Sequence, residues 1–346
     1  MKISRWLLAF LLFCCFSIYA QDTDNTERFR VMSYNTENFL DFKRDTLKNA
    51  PDSTNLPGWS YTRYRQKRNR IAQVIAAVGE WNPPVLVGLC EVGNRAVLDD
   101  LTRRSPLKEL KYSIAHFESP DPRGIDVALL YQPYYFTPYA EQPIRIAFPN
   151  DPHRHTRDIL YVGGTLRNGD TLHVFVNHFP SRMGGELESE GGRVTVATIL
   201  RSKVDSLFAI NRHAKIIIMG DFNDYPDNRS ISKILGAIPD TETPRDGQLV
   251  NLFYTTHKAG KTGSYKHEGE WGMLDQILVS PELLSPESAI FTRPDLAHVF
   301  SPDFLLENDD KNIGKQPFRT FIGMKYHGGF SDHLPVYVDL YLVKKQ

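Results

Sequence analysis

The sequence predicts a layered α/β protein, and three observations carry that reading. Short apolar runs rich in β-branched residues alternate with helical stretches along most of the chain. Many of these runs are too apolar to alternate cleanly, so their strands are covered on both faces. Polar residues of the kinds that bind metal or phosphate recur where those runs begin or end, and strand ends are where layered α/β folds build sites.

The strand candidates, in order, are "FRVMSYN" (29–35), "PVLVGLCEV" (84–92), "YSIAHFE" (112–118), "IDVALLY" (125–131), "DILYVGGTL" (158–166), "TLHVFVNHF" (171–179), "KIIIMGDF" (215–222), "LDQILVS" (274–280) and "PVYVDLYLV" (335–343). Helical spacing marks two segments. Residues 64–81 place Ile71, Val74, Ile75 and Val78 on one stripe, and residues 193–210 do the same with Val196, Ile199, Leu200, Val204 and Leu207. The basic run Arg63, Arg65, Lys67, Arg68, Arg70 reads as the wet face of the first helix. Long Gly/Pro-rich or charged stretches at 41–60, 180–192, 257–272 and 282–330 read as loops rimming an active site.

The first twenty residues stand apart. Lys2 and Arg5 precede an apolar run from Trp6 to Tyr19, and Ala20 closes it, which is the order of a secretory signal. The run falls short of the ~20 residues a bilayer span needs. Leu11, Leu12 and Phe13 put bulk ahead of Cys14, which argues against lipidation at the Cys14-Cys15 pair. The mature chain, 21–346, is therefore expected to be exported to periplasm or medium without stable membrane insertion. Cys90 is its sole cysteine, so no intramolecular disulfide forms and burial must supply the stability. The formal net charge is +0, so affinity for phosphate has to be local. A mature length of about 326 residues suggests two domains on length alone.

The stretch "IIIMGDFNDYP" (216–226) raises the sharpest question. An apolar strand runs straight into Asp221, Asn223 and Asp224. Period-2 alternation sends Asp221 and Asn223 one way and Phe222 back into the core. Carboxylates near an apolar interior cost several kcal/mol unless something compensates them. Asn35, Glu91 and His178 end other strands, Asp275 opens one, and Asp332-His333 immediately precedes the last. Phosphoester hydrolysis suits this set. Glu91 offers the hard oxygen that Mg²⁺ prefers, and Asn35 and Asn223 offer neutral amides. Asp221 is placed to orient or deprotonate water, and His333, its tautomer fixed by Asp275, to stabilise charge or move a proton. Arg157 supplies a bidentate phosphate fork. A plainer reading stands beside each: Asn35 as a turn residue, Glu91 paired with an arginine, Asp221 and Asn223 capping a helix near Ser230, His178 as a satisfied rim histidine. The "HRH" at 153–155 reads as a solvated loop, and no HExxH, CxxC or GxSxG pattern points to zinc or serine chemistry.

Taken in order, "SYNTENF", "GLCEV", "VNHFPS", "GDFND", "LDQIL" and "SDHLPV" resemble the endonuclease/exonuclease/phosphatase superfamily from about residue 29 to 343. The resemblance implies a four-layer α/β sandwich, two mixed sheets face to face with helices outside, and hence one catalytic domain over 21–346. It implies that Asn35, Glu91 and Asp332 serve Mg²⁺, with Mn²⁺ or Ca²⁺ as substitutes. It makes His178, Asp221, Asn223, Asp275 and His333 catalytic, and Asn177 and Arg157 substrate-binding. Asp126 falls close to a site-supporting acid of the deoxyribonucleases. The partner is a phosphate-ester substrate, with DNA or RNA in view, and the chain is expected to be monomeric. Departures limit the carry-over. Cys90 has no disulfide partner, Gln276 stands where an aromatic or arginine is usual, and Glu186, Glu188 and Glu190 would repel a polyanion if they faced the cleft. A lipid-headgroup or small phosphate-ester hydrolase, and a non-catalytic binder on the same fold, are the rival functions.

Overall fold

The computed structural model describes residues 25–42, 56, 58–323 and 325–345. The leader, Cys14, Cys15 and most of the 41–60 loop lie outside the described residues. The chain builds strands β1 (Thr26–Phe39), β2 (Leu86–Val92), β3 (Ser113–His116) and β4 (Asp126–Tyr131) into one sheet. It then lays down β5 (Phe136–Ile144), β6 (Ile159–Leu166), β7 (Thr171–His178), β8 (Ile216–Asp221), β9 (Ala237–Pro239) and β10 (Leu249–Asn251) in a second. A ribbon of β11 (Tyr265–His267) and β12 (Glu270–Gly272) leads into β13 (Asp275–Val279) of the second sheet. The chain returns to the first sheet with β14 (Ile290–Val299) and closes it with β19 (Val336–Val343). Between these two lie the ribbons β15 (Leu306–Asn308) with β16 (Lys315–Pro317), and β17 (Phe321–Ile322) with β18 (Lys325–Tyr326).

Among the described residues the sheets run β14-β19-β1-β2-β4-β3 and β5-β6-β7-β8-β13-β10-β9. Both are mixed: β1 is parallel to β2 and antiparallel to β19, and β7 is parallel to β8 in an otherwise mainly antiparallel sheet. Helices α1 (Tyr61–Gly79) and α2 (Arg95–Arg104) cover the outer face of the first sheet, and α3 (Glu186–Ile210) covers that of the second. Helix α4 (Tyr254–Ala259) is a short rim element. Ser60 and Asn94 cap α1 and α2 through side-chain oxygens that accept from Arg63 N and Val97 N, worth ~1 kcal/mol each.

Alternation within the strands explains the layers. On β8, Ile217 and Met219 enter the core between the sheets, while Ile216 and Ile218 pack outward with Val196, Leu200 and Val204 of α3. On β1, Phe29 and Val31 face inward, while Met32 and Tyr34 meet Ile71, Val74 and Val78 of α1. Burying each such side chain stabilises by ~1.5–3 kcal/mol. This is the expected four-layer sandwich.

Three expectations change. The stretch 282–330 is no structureless rim: it holds β14, an edge strand of the first sheet, and two ribbons. The helix expected at 193–210 is α3 and starts at Glu186, so Glu186 and Glu188 enter its first turn and Glu190 follows, with Glu186 paired to Arg182 at 3.0 Å and Glu190 to Arg229 at 3.5 Å. The basic run of α1 is not a wet face throughout. Lys67 is 1% exposed, and Arg70 stacks on Phe318 and Phe330. Lys67 falls on the same helical stripe as Tyr64, Ile71 and Val74, so geometry buries it despite its charge.

Candidate active site

The inward-facing row of each central strand ends in a polar residue at the same edge of the sandwich. The row Ile217, Met219 is followed by Asp221; Val174, Val176 by His178; Val279, Ile277 by Asp275. On β1 the inward row ends at Asn35, paired in register with Cys90. Register then sets His178 and Asp275 on either side of Asp221. Gly220 allows the close approach of β7: its φ is +141°, and an added Cβ would stand 1.9 Å from the Asn177 carbonyl oxygen.

One carboxylate oxygen is the focus. Asp221 Oδ2 accepts from Asn35 Nδ2 at 3.0 Å and lies 3.5 Å from His178 Nε2 and 3.9 Å from His333 Nε2. Its other oxygen accepts from the Asn223 amide at 2.9 Å. Behind His333, Nδ1 donates to Asp275 Oδ2 at 2.6 Å. Ser331 ties this group to β1: its hydroxyl donates to the Asn35 carbonyl at 2.7 Å and accepts from the His333 amide at 3.1 Å. Tyr265 backs the His333 ring, with centroids 4.8 Å apart. All of Asn35, His178, Asp221, Asn223, Asp275 and His333 are buried.

The alternation expected for Asn223 fails at the strand end. Its φ is +49°, a left-handed turn conformation, so its backbone amide folds back onto Asp221 while Nδ2 donates to the Phe179 carbonyl at 3.0 Å. Neither residue caps the helix at Ser230, which has no side-chain cap, and it is Asp224 that reaches that helix. It accepts from Ser230 Oγ at 2.6 Å and meets Arg193 Nε at 2.7 Å in full burial. Gln276 is also structural, donating to the Asp224 carbonyl at 2.6 Å and accepting from Asn251.

A second group lies beside the first, across the end of β1. Glu91, re-aimed by a φ of +61°, accepts from the Asn38 amide at 2.8 Å and lies 3.4 Å from Arg123 Nη2. Asp332 accepts from Arg319 Nη2 at 2.9 Å. Both acids line one cavity of about 330 Å³ with Glu37, Arg123 and Arg319. Glu37 accepts from the Thr320 and Phe321 amides, and Lys67 reaches the Thr320 hydroxyl and the Phe330 carbonyl.

Two predicted substrate contacts sit elsewhere. Arg157 is no open fork: Nη1 donates to Asp121 at 3.0 Å and Nη2 to the Phe179 carbonyl at 2.5 Å, so the buried guanidinium braces the strand end that bears His178. Asn177 is fully buried and donates to the Met219 carbonyl at 3.3 Å. Its Oδ1 and the Nδ1 of His178 have no hydrogen-bond partner among the described residues. Asp126 pairs with His116 at 3.1 Å and with Ser119. Lys67, Glu37, Arg123, Arg319 and Ser331 escaped sequence reasoning. Lys67, on the apolar stripe, Glu37, inside "SYNTENF", and Ser331, inside "SDHLPV", carried a local signal; Arg123 and Arg319 carried none.

A family profile described as "Endonuclease/Exonuclease/phosphatase family" matches residues 30–342. The chain belongs to that family. Members of the endonuclease/exonuclease/phosphatase family hydrolyse phosphoric esters with a divalent metal, and this enzyme is of that class. Its fold is similar to an endonuclease/exonuclease/phosphatase family protein from Bacteroides thetaiotaomicron, at TM-score 0.55 and 16% identity over 92% of this chain and 96% of that one. It is similar to the human Nocturnin catalytic domain with bound sulfate, at TM-score 0.54 and 17% identity over 91% and 97%. It also resembles the mannosyl-6-phosphatase of B. thetaiotaomicron VPI-5482, at TM-score 0.54 and 15% identity over 90% and 99%. A search of the curated proteins by sequence gave no match.

Electrostatics sort the family residues by protonation. Burial pushes Asp221 up to about 6, only partly opposed by His333. Burial alone would lower His333, but the charges of Asp275 and Asp221 and the Asp275 hydrogen bond outweigh it and hold the imidazolium well above its usual range. Burial, with the charges of Arg157, Arg123 and His333, drives His178 well below its usual range, so it is neutral. One base near neutrality and one persistent acid, 3.9 Å apart, have the disposition that proton transfer at a phosphoryl group requires. The donors for a metal also fit. Glu91, Asp332 and Asn35 offer carboxylate and amide oxygen without sulfur, the set a hard divalent cation takes. Asp221, Asp275 and His333, with ligand atoms within 4.8 Å of one another, form a further group of metal-binding type.

Proposed function

We propose that the enzyme is an exported, Mg²⁺-dependent phosphoesterase that cleaves P–O bonds by water attack, with Asp221 as base and His333 as acid. The observation that carries this is the convergence of Asn35, His178 and His333 on Asp221 Oδ2, with Asp275 behind His333. Asp221 takes the proton of the attacking water, held in line by Asn35 and by the Asn223 amide. Neutral His178 donates through Nε2 to a phosphoryl oxygen. His333 Nε2–H stabilises the charge that develops and protonates the departing oxygen. Glu91, Asn35 and Asp332 would hold the cation. When bound, it supplies Lewis-acid stabilisation of the phosphoryl oxygens. One acid–base residue contributes only ~10² to 10⁴ in rate, so these groups must act together.

The leading substrate reading is a phosphodiester, nucleic acid above all. The half-open cavity of about 330 Å³ beside Glu91 favours a second reading, a small phosphate ester. A lipid headgroup has less support, because the acids in 300–308 oppose insertion of that apolar loop. Residues 1–20 act as the export leader and 21–346 as one catalytic, monomeric domain in this reading.

The test is hydrolysis of bis(p-nitrophenyl) phosphate and p-nitrophenyl phosphate by the mature protein, with Mg²⁺, with chelator, and with Asp221→Ala and His333→Ala. Metal-dependent turnover of either ester that both variants abolish supports the assignment. Turnover that survives in either folded variant sinks the roles given to these residues. No turnover with any divalent metal moves the protein to the non-catalytic reading. For nucleic acid, affinity should fall steeply with added salt, as counterion release demands.

A further inference from the structure

Arg123 and Arg319 face the cavity directly beside the proton-transfer group, and the roles given above to that group assign neither of them a part. Each guanidinium is hydrogen-bonded through Nη2, Arg123 to Asn38 Oδ1 at 3.0 Å and Glu91, Arg319 to Asp332. Nη1 of both makes no hydrogen bond among the described residues. Their side chains are each 36% exposed, accessible to a ligand yet held by buried Glu91 and by half-buried Asn38 and Asp332. At about 330 Å³ the cavity stands near the lower end of small-molecule sites, with room for one phosphorylated unit and not for a duplex. Phe321 supplies an apolar wall.

Charge balance names the ligand. Three acids, Glu37, Glu91 and Asp332, line the cavity. Lys67 faces Glu37 through Thr320, Arg123 pairs with Glu91, and Arg319 pairs with Asp332 and stands 3.8 Å from Glu37. Their formal charges cancel. Glu91 and Asp332 would hold a divalent cation, which would supply two positive charges and compete with both arginines for their carboxylates. Nη1 of each guanidinium, and Nη2 in so far as its carboxylate were taken, would then meet an anion, while Asn38 and Glu37 keep the two arginines in place. A phosphate monoester carries about two negative charges at neutral pH, because its second pKa is ~6. An internal diester carries one.

Building on the phosphoesterase reading, and siding with its second substrate class over the phosphodiester, we propose that Arg123 and Arg319 form a specificity site for a terminal phosphate monoester, and that the substrate is a small phosphorylated polyol or the phosphorylated end of a nucleotide chain. Arginine suits this because its planar fork matches phosphate oxygens two at a time, which a lysine ammonium does not.

The experiment uses the mature protein and the conservative variants Arg123→Lys, Arg319→Lys and the double change, which keep the counter-charges of Glu91 and Asp332. Inorganic phosphate is titrated calorimetrically with and without Mg²⁺. The wild type should gain about tenfold or more in phosphate affinity with Mg²⁺, and the double variant should lose most of that gain. In turnover, p-nitrophenyl phosphate should be preferred to bis(p-nitrophenyl) phosphate. The double variant should raise the monoester KM about tenfold while kcat moves roughly threefold or less. A sugar phosphate set against a 5′-phosphorylated oligonucleotide then separates the two sources. An undiminished Mg²⁺-linked gain in the double variant, or a wild type that prefers the diester, overturns the proposal. The predicted phosphate-binding pattern without hydrolysis of any ester keeps the anion site and rejects the catalytic reading instead.

Discussion

His333 Nδ1 and Asp275 Oδ2 lie 2.6 Å apart, both buried, with the other face of the imidazole turned toward Asp221. The pair joins the last strand of the first sheet to the second sheet. It sets both the tautomer of His333 and its charge, since the Asp275 carboxylate keeps the proton on the ring that burial would otherwise strip.

Asp275→Asn should therefore cost more than a hydrogen bond. The amide can still meet Nδ1 but no longer favours the imidazolium, and kcat should fall by ~10² to 10⁴. The measurement is kcat against pH with circular dichroism as the folding control. The basic limb should move to lower pH in the variant.

Asp221 gives a pH dependence with a defined sign. Its folded value, about 6, lies above the ordinary 3.8 because of burial. The proposed mechanism needs the carboxylate, so kcat/KM of the metal-free-equilibrated protein assayed on metal addition should rise as pH passes about 6. Stability should run the other way. The folded state binds this proton more tightly than the unfolded chain, so the contribution is fully present below about 3.8 and is lost as pH rises through about 6. Asp221→Asn should flatten that component of the stability–pH curve, measured by denaturant melts.

Glu91→Gln should weaken Mg²⁺ binding by roughly tenfold to a hundredfold, the scale seen even for groups that only support a metal ligand. Calorimetric titration of Mg²⁺ reads this without any turnover. An unchanged affinity would remove Glu91 from the metal's donor set.

Lys67→Met tests the buried lysine. Burial lowers its pKa to about 8, offset in part by the charge of Glu37. Removing it leaves Glu37 with Arg319 Nε, at 3.8 Å, as its nearby cation and the Phe330 carbonyl with only the Thr320 hydroxyl as a side-chain donor, a loss of about 1–3 kcal/mol. Thermal unfolding should show a fall in Tm, while Arg65→Met, on the exposed face, should leave Tm nearly unchanged.

Period-2 patterning made the main strands legible, and with them the polar residue that ends each inward row. Asp221, His178 and Asp275 were readable because a strand's alternation continues to its last residue. Asn223 was misplaced because that rule stops where φ turns positive, and sequence does not print the turn. Arg157 looked like a phosphate fork because spacing shows a guanidinium near the site but not the Phe179 carbonyl that engages it. Arg319 and Asp332 meet because two short ribbons fold the 300–330 stretch back on itself, and neither residue type nor separation forecasts that. β14 was hidden because Thr292 to Ala297 carries a register break, so its apolar pattern is interrupted midway.

The first and last strands of the chain are neighbours. Thr26 of β1 stands opposite Val343 of β19, and Asp332-His333 arrives just before that closing strand. Every other described strand of both sheets lies between these two mates along the chain. Contacts of such long sequence separation form slowly. A chain in which β1 and β19 have not paired holds Asp221 and Asp275 without the His333 imidazolium, so the group around Asp221 Oδ2 is completed by one of the slowest contacts in the fold.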